Sequence, residues 1–461
     1  MSYDTAFLDA LDLVDGAIYR SAGRRRQYAT DYGTSETDGA SPDVVVCPQS
    51  TRDVQSVLSA ANTHGVPVTP YAAGTSTEGH PVPYAGGITL DMTELDRIID
   101  IRPEELQIDV QPGIIGETVN AAVRSDGLFF PPFPSSSNMS TVGGMIANDA
   151  SGMQTVKYGE VREWIRSLEV VLPDGSVMHP GTRARKTSSG YNLKDLFVGS
   201  EGTLGVVTEA TLELSGLPEQ IWGGRATFET TDAAAAAVAD AVTSGVDVAT
   251  IELMDPLSMD IANAYVDTGM PAVPTVFFEV HANTGIEAEV EFCQTVLESH
   301  GAEDFQIAAD RSQFDQLWES RREIGHALTA YDPDLSMLTV GDIAVPMSAY
   351  PDIIRFARSM AEKHDLLIPC FGHAGDGNVH YTILVDMEDS DHVARGREAA
   401  DRIISRAITL GGTATGEHGI GARKRRYMEE EHGETAIAYM KRIKDVFDPN
   451  GIMNPGKVIP E

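Results

Sequence analysis

The chain has 461 residues and 42% hydrophobic content, more than one core usually organises and enough to fill two domains. Lys and Arg total 34 against 69 for Asp and Glu, and the net charge of −35 is spread along the chain, which excludes nucleic acid as a partner. Cys47, Cys293 and Cys370 lack CxxC spacing, which excludes a disulfide framework or thiolate zinc site and leaves buried free thiols as the expectation.

No apolar run reaches membrane-spanning length, and the start MSYDTAFLDALDLVDG lacks the order of a secretory signal, so a cytoplasmic chain is expected. Diffuse acidity with few lysines suits a cytoplasm of high salt, where charge repulsion is screened, and predicts a halophilic source.

The elements begin with an N-terminal helical segment over 1–40 carrying Phe7, Leu8, Leu11 and Val14. The stretch SPDVVVCPQSTRDVQSVLSAANTHGVPVTPYAAGTS then reads strand, helix, strand, glycine loop, with Pro42 and Pro48 bracketing the first strand and Val54, Val57, Leu58 and Ala61 in helical period. Alternating residues follow, then a helix at 116–126, the loop PPFPSSSNMS, and a hairpin on Pro173-Asp174-Gly175. The run GSEGTLGVVTEATLELSG closes a first domain at 41–217. Beyond it DAAAAAVADAVTSG, TVFFEVHA and FDQLWESRREIGHAL mark a second domain of helices and strands, 218–435. ETAIAYMKRIKDVFDPNGIMNPGKV is an amphipathic helix stopped by Pro449 and Gly451, with a tail to 461, and the fold class is α+β.

Four runs of small residues stand out: AAGTSTEGH, STVGGMIANDASG, KYGEVRE and GSEGTLGVVTE. Each offers backbone N–H groups that a diphosphate can approach closely. Neither the Rossmann fingerprint GxGxxG nor Walker A is present. In order and spacing PYAAGTS, STVGGMIANDASG, YGEVREWIRSLEVVLPDG and KTSSGYNLKDLFVGSEGTLGVVTEATL resemble the FAD-binding domain of the vanillyl-alcohol oxidase and p-cresol methylhydroxylase superfamily. Toward the C-terminus FGHAGDGNVH, GGTATGEHGIGARKRRYM and DPNGIMNPGKV are similar to FAD-linked D-lactate dehydrogenases of the cytochrome and glycolate-oxidase-subunit type.

The resemblance implies a two-part FAD-binding domain, an α+β substrate cap, and a C-terminal tail returning to the flavin. It places the FAD diphosphate on Gly74, Thr75 and Ser76, lines the cofactor with Pro132, Thr141, Gly144, Gly152, Gly202 and Val207, and brings Asn454 toward the flavin from the tail. Ala73 replaces the usual second glycine of the first loop, and Met145 stands where many relatives have Asn. The sole histidine near that loop, His80, lies at its far end, so FAD is expected to be held noncovalently.

His373 and His380 bracket a glycine-rich turn, and Glu417 and His418 sit between glycines. Such histidines can be ordinary polar loop residues, but two imidazoles and a carboxylate also suit a divalent metal, with Zn, Mn and Fe not separable. The family resemblance makes His373, His380 and Glu417 the metal ligands, His418 the base and Arg321 the substrate arginine. It implies that the metal stabilises the developing alkoxide, His418 takes the hydroxyl proton, and the α-hydrogen leaves as hydride to flavin N5. The basic run Arg423, Lys424, Arg425, Arg426 reads as a solvated helix start, or as a face for an acidic redox partner or anionic lipid.

A small D-2-hydroxy acid is therefore the expected substrate, D-lactate first, with glycolate and D-2-hydroxyglutarate as rivals. Val340, two residues before Asp342, stands where the hydroxyglutarate type has lysine. A non-catalytic FAD-binding subunit and a flavin-independent metallohydrolase are the alternatives of other classes. The expected electron acceptor is a quinone, cytochrome or electron-transfer flavoprotein; peripheral membrane contact and a homodimer are both compatible with the chain.

Overall fold

The computed structural model describes residues 7, 11, 14–35, 37–132 and 134–460. Phe7 and Leu11 are helical and buried, whereas Leu8 and the remainder of the expected N-terminal helix before residue 14 lie outside the described residues.

The chain divides into two compact units, one of Met1–Gly152, Glu160–Leu217 and Glu417–Glu461, the other of Met153–Gly159 and Pro218–Gly416. One division falls after Leu217, at the end of the run GSEGTLGVVTEATLELSG. Two boundaries differ. The chain rejoins the first unit at Glu417 and not at 436, because the backbone N–H groups of Ile420 and Gly421 donate to Glu201 at 2.7 and 2.8 Å. Residues 153–159 belong to the second unit: Val156 fills the space where a Cβ on Gly375 would lie 2.9 Å from its Cγ2, and the Tyr158 hydroxyl is 2.7 Å from His281 Nδ1.

In the first unit β1 (Ala17–Tyr19), β2 (Val44–Cys47), β3 (Val68–Tyr71) and β4 (Ile88–Asp91) form a sheet in the order β1-β2-β4-β3. Strands β2 and β3 run parallel to β4, and β1 is antiparallel to β2. The crossover helix Thr51–His64 starts where Ser50 accepts from the Asp53 N–H and stops at Gly65, which takes the left-handed φ of 63°. It buries Val54, Val57, Leu58 and Ala61.

The second sheet begins with β5 (Ile98–Arg102) and β6 (Gln107–Val110). After a short β7 (Leu128–Phe129) come β8 (Ile165–Val171), β9 (Val177–Met178) and β10 (Val206–Glu213), and then β11 (Ser215–Gly216), which pairs with β7. Its order is β5-β6-β10-β8-β9, antiparallel throughout. The β8–β9 turn is the expected one, with Gly175 at φ 85°.

The second unit is built on seven antiparallel strands: β12 (Gln220–Thr227), β13 (Val248–Met254), β14 (Thr275–Ala282), β15 (Glu303–Ala308), β16 (Ser336–Ala344), β17 (Cys370–Gly372) and β18 (Asn378–Val385). Their order, β15-β12-β14-β13-β17-β18-β16, puts β13 in the middle. The helix Arg311–Ala330 brings Phe314, Trp318, Ile324 and Ala327 onto a cluster with Met254, Phe277 and Phe371. Each large apolar side chain buried there contributes roughly 1.5–3 kcal/mol.

Gly341 of β16 faces Tyr381 of β18 in register, and a Cβ on it would lie 2.3 Å from the ring. Gly341→Ala is expected to destabilise the protein by about 1–3 kcal/mol through overpacking. Thermal unfolding checks this, and an unchanged Tm would contradict the close approach.

Candidate active site

The second unit gathers three of the expected site residues around the middle of its sheet. Register pairs Leu253 of β13 with Gly372 of β17, so Glu252 comes opposite His373, the residue that follows β17. His373 Nδ1 lies 2.7 Å from Glu252 Oε1. Arg321, on the covering helix, donates from Nε at 2.8 Å to Glu252 Oε2, and its Nη2 is 2.6 Å from the same oxygen. At 5% exposure Arg321 is no part of a solvated helix face, whereas its neighbour Arg322 is exposed and pairs with Asp315. Burial opposes ionisation of Glu252, but the Arg321 and His373 charges outweigh it and hold its pKa below the ordinary carboxylate value.

His380, on β18, stands in T-shaped contact with His373, ring centroids 4.9 Å apart, and opposite Asp342 of β16. Its Nδ1 is 3.8 Å from Asp342 Oδ1, and that fully buried carboxylate also accepts from Asn378 Nδ2 at 2.6 Å and Thr415 Oγ1 at 2.8 Å. Gly416 lets the chain pass this pair, since a Cβ there would fall 1.9 Å from Asn378 Nδ2. Each histidine thus has a buried carboxylate on its Nδ1 side; for His373 the carboxylate is at hydrogen-bond distance, which favours the Nδ1–H tautomer and leaves Nε2 for ligation, whereas for His380 the 3.8 Å approach is electrostatic. The donor set therefore fits a divalent metal better than a pair of plain loop histidines.

Glu252 was not singled out from the sequence, although it is the one charged residue of Val248–Met254, a strand buried along its whole length. That isolation is the signal that could have found it, because a buried carboxylate needs partners. A third group in the same unit, half-buried Tyr158 and Glu279 with buried His281 between them, is linked by hydrogen bonds.

The first unit brings three of the four small-residue runs to β3, whereas KYGEVRE begins in the second unit. Gly74 takes φ 69°, and the loop is tied down by Asp31, whose Oδ2 accepts from Ser76 Oγ at 2.9 Å and from the Gly79 N–H at 2.7 Å. The Thr75 and Ser140 hydroxyls are 3.1 Å apart. Thr141 caps the helix Val142–Asn148 by accepting from the Gly144 N–H at 3.2 Å, and a Cβ on Gly144 would come 3.1 Å from Ala72. Gly202 lies against Pro70 of β3 at φ 69°. Met145, in place of the relatives' Asn, is in the apolar core. Pro132 and Gly152 are buried and Val207 half-buried.

Asn454 joins these loops from the tail. Its Nδ2 donates to the carbonyls of His80 at 3.1 Å and Glu201 at 2.8 Å, and its backbone N–H donates to Val68 at 2.8 Å. Its amide is thus engaged in holding two loops together. The basic run is neither a solvated helix start nor an open cationic face throughout: Lys424 is buried 3.6 Å from Glu78, and Arg423 donates to the Thr77 carbonyl.

Glu417 and His418 belong to this unit and are half-buried. Asn148 Nδ2 donates to the Glu417 carbonyl at 2.6 Å, and Ser151 Oγ lies 3.4 Å from its Oε2. Gly419, at φ 80°, would place a Cβ 2.5 Å from Asn148 Oδ1 and 2.6 Å from His80 Nε2, so the turn after His418 requires glycine. The three cysteines are buried free thiols; burial pushes Cys47 and Cys293 up to about 12 and Cys370 well above the ordinary thiol value.

Residues 42–181 match the family described as FAD binding domain, and residues 217–458 match FAD linked oxidases, C-terminal domain. The chain is 36% identical over 422 residues to a probable mitochondrial D-lactate dehydrogenase of Danio rerio, covering 91% of this chain and 84% of that protein. It is 36% identical over 420 residues to glycolate oxidase subunit GlcD of Bacillus subtilis, covering 90% and 89%. Among solved structures, 4-ethylphenol oxidase from Gulosibacter chungangensis superposes with a TM-score of 0.79 at 17% identity, covering 100% of this chain and 99% of that one. At that identity the likeness is one of fold.

One pairing in the first unit gives a pH signature. His80 Nε2 lies 3.2 Å from Glu201 Oε2. Burial opposes the charge on each, but their mutual attraction outweighs it, raising His80 above 6.5 and lowering Glu201 below 4.5. The carboxylate's contribution is complete above 4.5 and fades as pH falls, and the imidazolium's is complete below 6.5 and fades as pH rises. The stability gap between wild type and Glu201→Gln should therefore be widest from 4.5 to 6.5 and narrow on both sides. Thermal unfolding across pH measures it; a gap independent of pH would contradict the pairing.

Proposed function

The chain belongs to the FAD-linked oxidases, and from that premise we propose that it oxidises a small D-2-hydroxy acid, D-lactate to pyruvate foremost, using noncovalent FAD and a divalent metal. The observation that carries the reading is the pair of histidines, His373 and His380, each with a buried carboxylate beside its Nδ1. A non-catalytic FAD-binding subunit has no need of such an arrangement. The relatives named D-lactate dehydrogenase and glycolate oxidase subunit support the substrate class, and Val340 at the position of the hydroxyglutarate type's lysine favours a smaller acid.

His373 and His380 would hold a Zn, Mn or Fe ion, with Glu417 as the third ligand by family resemblance. FAD, when bound, supplies the acceptor for two electrons and the α-hydrogen, and the metal, when bound, supplies Lewis acidity at the substrate hydroxyl. Arg321 binds the substrate carboxylate with the N–H groups that Glu252 does not engage. His418 accepts the hydroxyl proton as the carbon–oxygen bond becomes the carbonyl of the 2-keto acid. Gly74, Thr75 and Ser76 offer their backbone to the FAD diphosphate, and Pro132, Thr141, Gly144, Gly152, Gly202 and Val207 line the cofactor. Asn454 acts by holding the His80 and Glu201 loops. His80, paired with Glu201 and raised in pKa, is poorly placed to be a nucleophile toward flavin, which supports noncovalent FAD.

Among the described residues no helix is long and apolar enough to cross a membrane. We assign a cytoplasmic or membrane-peripheral enzyme that passes electrons to a quinone, cytochrome or electron-transfer flavoprotein. A relative from Arabidopsis thaliana is named D-lactate dehydrogenase [cytochrome], which supports a cytochrome among these.

His418→Ala should retain FAD and lose about 10²–10⁴ of the rate of flavin reduction by D-lactate. Anaerobic stopped-flow reads that rate, and near-normal reduction would refute the assigned base. A net charge of −35 also supports a halophilic working environment. The Tm should then rise steadily from low salt to molar KCl, and a Tm indifferent to salt would overturn this assignment.

A further inference from the structure

We infer that Glu252 is a positioning residue that serves two functions at once, orienting His373 for the metal and Arg321 for the substrate carboxylate. The inference rests on the proposed metal-assisted oxidation. Glu252 is fully buried in the middle strand of the seven-stranded sheet, and its two oxygens are divided between two partners. Oε1 faces His373 Nδ1 at 2.7 Å, and Oε2 takes Arg321 Nε at 2.8 Å and Nη2 at 2.6 Å.

A carboxylate offers acceptors only, so the proton of a neutral His373 belongs on Nδ1 and ligation goes through Nε2. The same carboxylate engages one edge of the Arg321 guanidinium and fixes its plane, which also lies 5.4 Å from the Phe371 ring centroid. Metal affinity and substrate affinity therefore share one residue that touches neither. Glutamine at this position keeps the volume but presents one acceptor and one amino group, so it satisfies one partner and turns a donor toward the other. A salt bridge that merely stabilised the fold would leave both affinities of the folded protein unchanged.

The test is Mn²⁺ binding to FAD-loaded, chelator-stripped protein, followed by electron paramagnetic resonance without substrate. Wild type should bind Mn²⁺. Glu252→Gln, with its FAD content intact, should bind it about 10–100-fold more weakly, and at saturating metal should show a raised KM for D-lactate. Should Glu252→Gln fail to fold, the double variant Glu252→Gln/Arg321→Met removes both charges together, and its Mn²⁺ affinity is expected to fall by the same factor. Wild-type affinity within twofold in either folded variant would overturn the positioning role and leave the metal reading standing. A wild-type protein that takes up no Mn²⁺ would overturn the metal reading and this inference with it.

Discussion

A carboxylate enclosed by the middle strand of an apolar sheet remains ionised only where cationic and N–H donors replace the water it has lost, and Glu252 is in that situation. Its two partners come from elements distant in sequence, His373 after β17 and Arg321 on the helix that covers the sheet. Asp342 repeats the pattern on β18's other side, with Asn378, Thr415 and His380 around it. In the second unit, therefore, buried charge and its satisfaction go with where two imidazoles and a guanidinium stand.

The FAD-binding unit obeys a different constraint. Its glycine loops carry little side-chain mass with which to hold themselves. Hydrogen bonds hold them: Asp31 ties the first loop from outside it, Thr141 caps the helix within the second run, and Glu201 of the fourth receives the returning chain at Ile420 and Gly421. Asn454 then bonds the carbonyls of two loops with a single amide.

Features whose cause is local were legible in the sequence. Pro173-Asp174-Gly175 makes its hairpin, the period of Val54, Val57, Leu58 and Ala61 becomes the buried face of the first long helix, and His373 and His380 bracket a glycine turn beside a strand. What escaped the sequence depends on partners far along the chain. The segment 153–159 follows a glycine-loop motif yet packs against Gly375, and Lys424 reads as a surface cation until Glu78 is brought beside it. Glu252 reads as one polar residue in a short strand until β13 is found buried along its length. Arg321 and Arg322 are adjacent and chemically alike, and only packing separates the buried one from the exposed.

The central claim is that flavin, metal and a D-configured 2-hydroxy acid meet in one reaction. The most direct measurement mixes the purified protein anaerobically, in high salt, with D-lactate, L-lactate, glycolate and D-2-hydroxyglutarate, and follows the flavin's visible absorbance before and after chelation. The account predicts bleaching by D-lactate and not by L-lactate, abolished by the chelator and restored by added divalent metal. A yellow protein that none of the four acids bleaches, or bleaching indifferent to the chelator, would contradict it.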